Sequence, residues 1–321
     1  MTILIYGITG DLAKTKILPS LREFGKNDKN LKVIGYSRSL ADKSKLTDLL
    51  GFEPILKTGS YGDLTLIKEF WQEELVVYLA TPPSVNFDFL RQIAKQKPNP
   101  KLQILVEKPF GKNREEASEI LELLNKTGWR NSVQFLDHYK FKINQLQVPT
   151  KINTISICAL ESNIVGERGG YYDVIGAIDD MLIHLYSMLK MVFPKPISTW
   201  QDICLETKQY DTYRQEVSNS NSKTETYFKI NCTLGDTKVL LESGKKQATK
   251  LTKIDINNGE YVVELAPNKH IFSNGKVILL DNQKSDHCRI FEAIQKQGYS
   301  QFVSDNDILE YFDFLDQVNK I

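Results

Sequence analysis

At 321 residues the chain is long enough for two domains, each burying its own core. Its 41 Lys+Arg are balanced by 40 Asp+Glu, which argues against a nucleic-acid surface or a polybasic membrane anchor and leaves room only for a local basic pocket. No apolar run approaches the roughly 20 residues of a bilayer span, and residues 1–6 run from apolar straight into glycine without a cationic leader or cleavage pattern, so no nucleic acid, no membrane and a cytoplasmic location are expected.

Residues 2–6 form a short apolar run that ends at Gly7-Ile8-Thr9-Gly10-Asp11-Leu12-Ala13, after which Ile17, Leu18 and Leu21 recur at helical spacing: strand, glycine turn, helix. A second strand at 31–36 leads into the polar turn Ser37-Arg38-Ser39. Strands follow at 74–80, 102–106 and 132–136, separated by helical patterns at 85–96 and 114–125, which predicts a parallel sheet with helices on both faces. The second half changes character. A long strand at 151–160 and a helix at 171–191 precede strands at 225–234, 238–242, 250–256 and 260–265 with no helix between them, and helices at 286–296 and 305–318 close the chain. The expected fold is thus a Rossmann-type α/β dinucleotide-binding domain over 1–136, followed by an α+β domain with a mainly antiparallel sheet over 137–321. Residues 218–223 read as a polar, flexible surface insertion. Cys158, Cys204, Cys232 and Cys288 are scattered without Cys-x-x-Cys or zinc-site spacing and read as reduced core thiols, with no metal site.

The chemically densest stretch is Asp137-His138-Tyr139-Lys140-Phe141-Lys142, an acid, an imidazole, a phenol and two amines in six positions. Such donors suit an oxyanion such as phosphate, although a charged turn between domains would use the same residues. The turn around Gly7 and Gly10 lets backbone approach a pyrophosphate at a helix N-terminus, with Asp11 and Leu12 opening that helix. Where dinucleotide folds normally present an acid after the second strand, Arg38 offers a cation that can pair with a 2′-phosphate, which favours NADP and leaves NAD open. Ala80 and Pro82, after the third of these strands, and Lys108, before Pro109, sit at the carboxyl edge where open α/β sheets bind ligands.

In this order the motifs resemble those of the glucose-6-phosphate dehydrogenase family. The glycine turn with downstream Lys16 is similar to the family's Gly-x-x-Gly-Asp-Leu-Ala, Glu107-Lys108-Pro109-Phe110-Gly111 to its Glu-Lys-Pro-Phe-Gly, and Asp137-His138-Tyr139 with Lys142 to its Asp-His-Tyr-x-x-Lys. Gly169-Gly170-Tyr171-Tyr172-Asp173 with Asp179 and His184 resembles the helix carrying the catalytic histidine, and Ser243-Gly244-Lys245 with Lys250 a later substrate segment. The resemblance implies an active site in a cleft between the domains and oxidation of carbon 1 of a 6-phosphorylated sugar with NADP. It implies His184 as general base, Asp137 as its orienting carboxylate, and His138, Tyr139, Lys142 and Lys250 as phosphate ligands. Lys108, Glu161, Asp179 and Lys245 would contact sugar hydroxyls, and Thr9, Lys16 and Arg38 the cofactor. A small-molecule sugar phosphate is the expected partner, and the antiparallel sheet leaves a homodimer open.

Three departures from the family pattern stand out. The chain is shorter than typical members, so surface segments and an additional structural NADP site are expected to be absent. Phe135 replaces an arginine, and the stretch between Gly170 and Asp179 is one residue short. Another phosphorylated hexose or aminosugar phosphate as substrate, or a non-catalytic binding or assembly module, are the rival readings.

Overall fold

A computed structural model of the chain describes residues 1–143, 146, 148–197, 199–273, 275–279 and 284–321. Two compact units emerge: Met1–Phe141 with Gln283–Leu309, and Lys142–Asn282 with Glu310–Ile321.

In the first unit, β1 (Thr2–Tyr6), β2 (Lys32–Ser37), β3 (Ile55–Thr58), β4 (Leu75–Leu79), β5 (Leu102–Glu107) and β6 (Val133–Leu136) pair in parallel in the order β3-β2-β1-β4-β5-β6. The intervening helices are α1 (Leu18–Gly25), α2 (Lys43–Leu50), α3 (Thr65–Glu69), α4 (Pro83–Ile93) and α5 (Arg114–Thr127). β1 and β4 are almost wholly buried. Continuous apolar strands of this kind are what a parallel sheet covered on both faces requires. Ile3, Ile5, Ile17, Leu21 and Tyr78 share one core with Phe291 and Ile294. The strand order reverses between β1 and β4, and ligands of open parallel sheets bind at the carboxyl ends beside such a switch point.

The second unit contains β7 (Thr154–Leu160), α6 (Gly169–Val192), β8 (Gln201–Lys208), α7 (Tyr213–Glu216), β9 (Tyr227–Leu234), β10 (Thr237–Gly244), β11 (Leu251–Ile256), β12 (Tyr261–Ala266), β13 (His270–Ser273) and β14 (Lys276–Leu279). Its eight strands run β14-β13-β12-β11-β7-β10-β9-β8, all neighbours antiparallel except the parallel pair β7/β10. Alternation buries Val239, Leu241 and Ser243 of β10 while Lys238 stays exposed and Leu240 and Glu242 partly so, and α6 packs against β7, β9 and β10. After α8 (Asp286–Gln295), α9 (Asp305–Val318) begins in the first unit and ends in the second, where Phe314 stacks on Trp200 at 4.2 Å and Glu310 receives the buried ammonium of Lys190 at 3.0 Å.

Several expectations are corrected. The units do not divide at 136/137: the turn His138–Phe141 stays with the first unit, and so does α8. The reason is packing, since Phe291 of α8 meets Phe24 of α1 at 6.0 Å and the α8 cap Ser285 binds Glu23. Residues 218–223 are not a loose insertion, because Asn219 and Ser222 both donate to Asp173. Cys204 is exposed on the edge strand β8, whereas the other three cysteines are buried. β3, β8, β13, β14, α2, α3 and α7 went unread; β3 and β8 are edge strands with few buried side chains, and strand patterning weakens there.

Candidate active site

In the first unit the glycine turn is fixed by main-chain bonds. The Gly7 and Ile8 amides donate to Tyr36 O at 2.8 and 3.3 Å, and the Gly10 amide donates to Gly7 O at 2.9 Å. Gly7 sits at φ +84°, and a Cβ there would lie 2.5 Å from the Ala80 carbonyl oxygen. Only glycine allows β1 and β4 to present their ends this closely, which is the backbone approach a pyrophosphate needs. Thr9, Gly10 and Leu12 are half-buried and Asp11 exposed. Lys16 is exposed on a π-helical turn, Ala13–Ile17, that leads into α1, so the helix after the glycines is wider than the α-helix expected there. Pro82, exposed, precedes the first turn of α4.

Arg38 lies exposed past the end of β2 with its guanidinium over the Tyr61 ring at 5.7 Å. The Ser37 hydroxyl closes the turn by donating to Ser39 O at 2.7 Å. A planar cation stacked on an aromatic ring keeps its outward face for a phosphate. The residues therefore fit a dinucleotide at this edge.

The ends of β5 and β6 hold the next group. Lys108 follows β5 and joins Pro109 through a cis peptide. Asp137 follows β6, is fully buried, and accepts the Tyr139 amide at 2.9 Å. This bond turns the chain into the tight helical turn His138–Phe141, which sets the His138 and Tyr139 rings 4.9 Å apart. Lys140 instead serves structure, donating to Phe302 O at 3.2 Å beside Asp307. Phe135 fills core against Phe110, and Arg130, paired with Asp305, lies over its ring. Sequence reasoning passed over Tyr78 and His287, which are buried beside Glu107 here; a lone histidine in an amphipathic helix carries no sequence signal.

In the second unit α6 is broken at Gly176, with φ 70° and ψ 179°. Glu225 fills the break: its carbonyl accepts the Ala177 amide at 3.0 Å and its carboxylate the Ile178 amide at 2.9 Å. A Cβ on Gly176 would strike that carboxylate. The shortened stretch between Gly170 and Asp179 thus contains a fresh helix start, capped from outside, that carries Asp179, Asp180 and His184. His184 is 3% exposed. Asp179 is exposed at the surface, yet partial desolvation of its carboxyl and the nearby Glu225 carboxylate hold it above the usual aspartate range. The Tyr172 hydroxyl is buried without a hydrogen-bond partner, and burial together with Asp180, Glu225 and Glu161 pushes its ionisation far up.

Glu161 and Lys245 follow β7 and β10, whose parallel pairing ends at Leu160 and Gly244, so the two side chains meet as an ion pair with the ammonium over Tyr172 at 5.7 Å. Lys250, exposed, precedes Leu251, which pairs with Leu160 on the other side of β7. One sheet end therefore collects Glu161, Lys245 and Lys250. Lys142 opens the second unit directly after the His138–Phe141 turn. Glu225 and Tyr172 were not among the expected site residues; Glu225 reads as the first residue of a strand and caps a helix instead.

The sequence profile of the glucose-6-phosphate dehydrogenase NAD-binding domain matches residues 60–143. A glucose-6-phosphate 1-dehydrogenase of Encephalitozoon cuniculi is 27% identical over 79% of this chain and 67% of its own length, and one of Borreliella burgdorferi is 24% identical over 93% and 79%. Other curated relatives are matched over about half of their own length. The crystal structure of glucose-6-phosphate 1-dehydrogenase from Mycobacterium avium superposes with a TM-score of 0.79 at 18% identity, covering 99% of this chain and 91% of that one, and so shares its fold. The chain is thus similar in sequence to glucose-6-phosphate dehydrogenases and shares their fold, with the glycine turn, Glu107-Lys108-Pro109 and Asp137-His138-Tyr139 all at the carboxyl edge of one parallel sheet.

Proposed function

We propose that this protein oxidises carbon 1 of glucose 6-phosphate to the lactone, as the names of the relatives suggest, with NADP as hydride acceptor and in the cytoplasm. What supports the reading is the burial of ionisable groups at the family's motif positions: Asp137 is fully buried and His184 nearly so, and buried ionisable groups gather at functional sites. His184 takes the proton of the carbon-1 hydroxyl while the carbon-1 hydrogen leaves as hydride, and Asp137 favours the imidazolium that results. The dinucleotide, held by the turn of Gly7 and Gly10 and by Thr9, Lys16, Ala80 and Arg38, supplies the electron sink when bound. His138, Tyr139, Lys142 and Lys250 bind a phosphate of nearly two negative charges, for which several strong donors are needed. Lys108, Glu161, Asp179 and Lys245 orient the sugar hydroxyls, the acids accepting and the ammonium groups donating.

The break at Gly176 favours a second reading of substrate, another phosphorylated hexose, because it alters the backbone just before Asp179. The deciding experiment follows absorbance of reduced nicotinamide with NADP or NAD over a panel of hexoses, each with and without its 6-phosphate. Turnover with NADP on glucose 6-phosphate alone is expected. Turnover confined to a different phosphosugar moves the assignment to that substrate, and silence across the panel with NADP still bound ends it.

A further inference from the structure

His287 has no part in the chemistry proposed above, yet its surroundings are those of a working residue. It lies in the first turn of α8, within the first unit, and is 3% exposed. Its ring stacks on His138 with centroids 5.7 Å apart and planes 27° from parallel, and on Tyr78 at 6.4 Å and 28°. Its Nε2 approaches Glu107 Oε1 at 3.4 Å without reaching hydrogen-bond geometry, so the nitrogen is buried with no hydrogen-bond partner. The same Glu107 oxygen accepts the Tyr78 hydroxyl at 2.5 Å.

If the ring served only to fill space, phenylalanine would do so without burying a nitrogen that lacks a partner; such orphans are uncommon in native interiors and call for an explanation. Glu107 supplies one. A carboxylate 3.4 Å from Nε2 favours a proton on that nitrogen electrostatically, without a formed hydrogen bond, and so biases the tautomer of His287. Tyr78 steadies the acceptor in turn. A buried row thus runs from Tyr78 through Glu107 and His287 to His138, and its last member is the half-buried one that a ligand can reach.

We infer that His287 is a positioning residue for His138: backed by Glu107 and Tyr78, it fixes the plane in which the His138 ring meets an anion. The role rests on the assignment of His138 to phosphate binding, and the two can be separated by experiment. Four histidines make the whole protein tractable for imidazole ¹⁵N NMR, each signal assigned by single replacement. His287→Phe keeps the stack and removes the nitrogens, and Glu107→Gln keeps the shape and removes the charge.

Both variants are expected to move the His138 ring signals while those of His270 stay in place. Both should also raise KM for glucose 6-phosphate by roughly 5- to 10-fold, the worth of one well-oriented hydrogen bond, with kcat within about twofold. His138 signals that superimpose on wild type in both variants overturn the inference. A His138→Asn protein with unchanged KM would instead refute phosphate binding by His138, while the NMR comparison still decides whether His287 holds that ring. Should His287→Phe fail to fold, His287→Gln with Glu107→Gln gives the same decision.

Discussion

The two units build their candidate site groups from different materials. In the first, the dinucleotide edge is made of backbone: parallel strands in the order β3-β2-β1-β4-β5-β6, a glycine turn bonded to Tyr36 O, and helix starts facing the strand ends. In the second, the site is made of side chains that depend on one another: Glu225 caps the helix restarted after Gly176, that helix carries Asp179 and His184, and Lys245 is held between Glu161 and Tyr172. A backbone site tolerates most side-chain changes but not a single added carbon at its closest approach. A side-chain site should yield by degrees, and mainly in chemistry and pH response.

The largest effect expected is on turnover. His184→Asn removes the proposed base and leaves the phosphate donors intact, so kcat should fall by about 10² to 10⁴-fold with little change in sugar-phosphate affinity. Unaltered kcat would end the assignment of His184 as the base. Next comes the backbone site. Gly7→Ala places a Cβ 2.5 Å from a carbonyl oxygen at a positive φ, which should cost about 1–3 kcal/mol of stability and most of the dinucleotide affinity. Denaturant midpoints and nicotinamide fluorescence check this; a variant as stable and as tightly binding as wild type would mean the turn is not the close-approach point.

This difference in materials also explains what could be read from the sequence. Apolar strands followed by Gly7-Ile8-Thr9-Gly10 and by Glu107-Lys108-Pro109 are local patterns, and topology converts them into one sheet edge, so the first unit was largely legible. The placement of Arg38 was legible because the position after β2 is fixed by the fold. The helix break at Gly176 was not, since a lone glycine inside a helical pattern is tolerated and only the distant Glu225 shows that the helix restarts. His287 was hidden for the same reason: its partners Tyr78, Glu107 and His138 come from three other segments. The return of α8 to the first unit depended on Phe291 finding Phe24, a contact across more than half the chain.

Smaller effects should follow from the side-chain supports. Glu225→Ala deletes the acceptor for the Ile178 amide while leaving the main-chain bond to Ala177, so the loss should be about 0.5–2 kcal/mol, the usual cost of an N-cap. The same change takes a negative charge from beside Asp179 and should bring its carboxyl back toward the ordinary range. Carboxyl ¹³C titration of Asp179 in the two proteins checks the coupling; an unchanged titration would mean burial alone sets it.

The smallest effect carries a sign that can be worked out. Because partial desolvation and Glu225 raise the carboxyl of the exposed Asp179 above its unfolded value, the folded protein binds that proton more tightly than the unfolded chain does. The resulting stability is fully present below the unfolded value of about pH 3.9 and is lost as pH rises through the folded value. Above that, the ionised carboxylate works against the fold. Asp179→Asn stays neutral throughout, so the stability of the variant relative to wild type should climb between about pH 4 and neutrality, whatever constant offset the amide introduces. A difference that stays level across that range would show Asp179 to be as well solvated in the folded unit as in the unfolded chain, and the side-chain site around Gly176 to be looser than its capped helix implies.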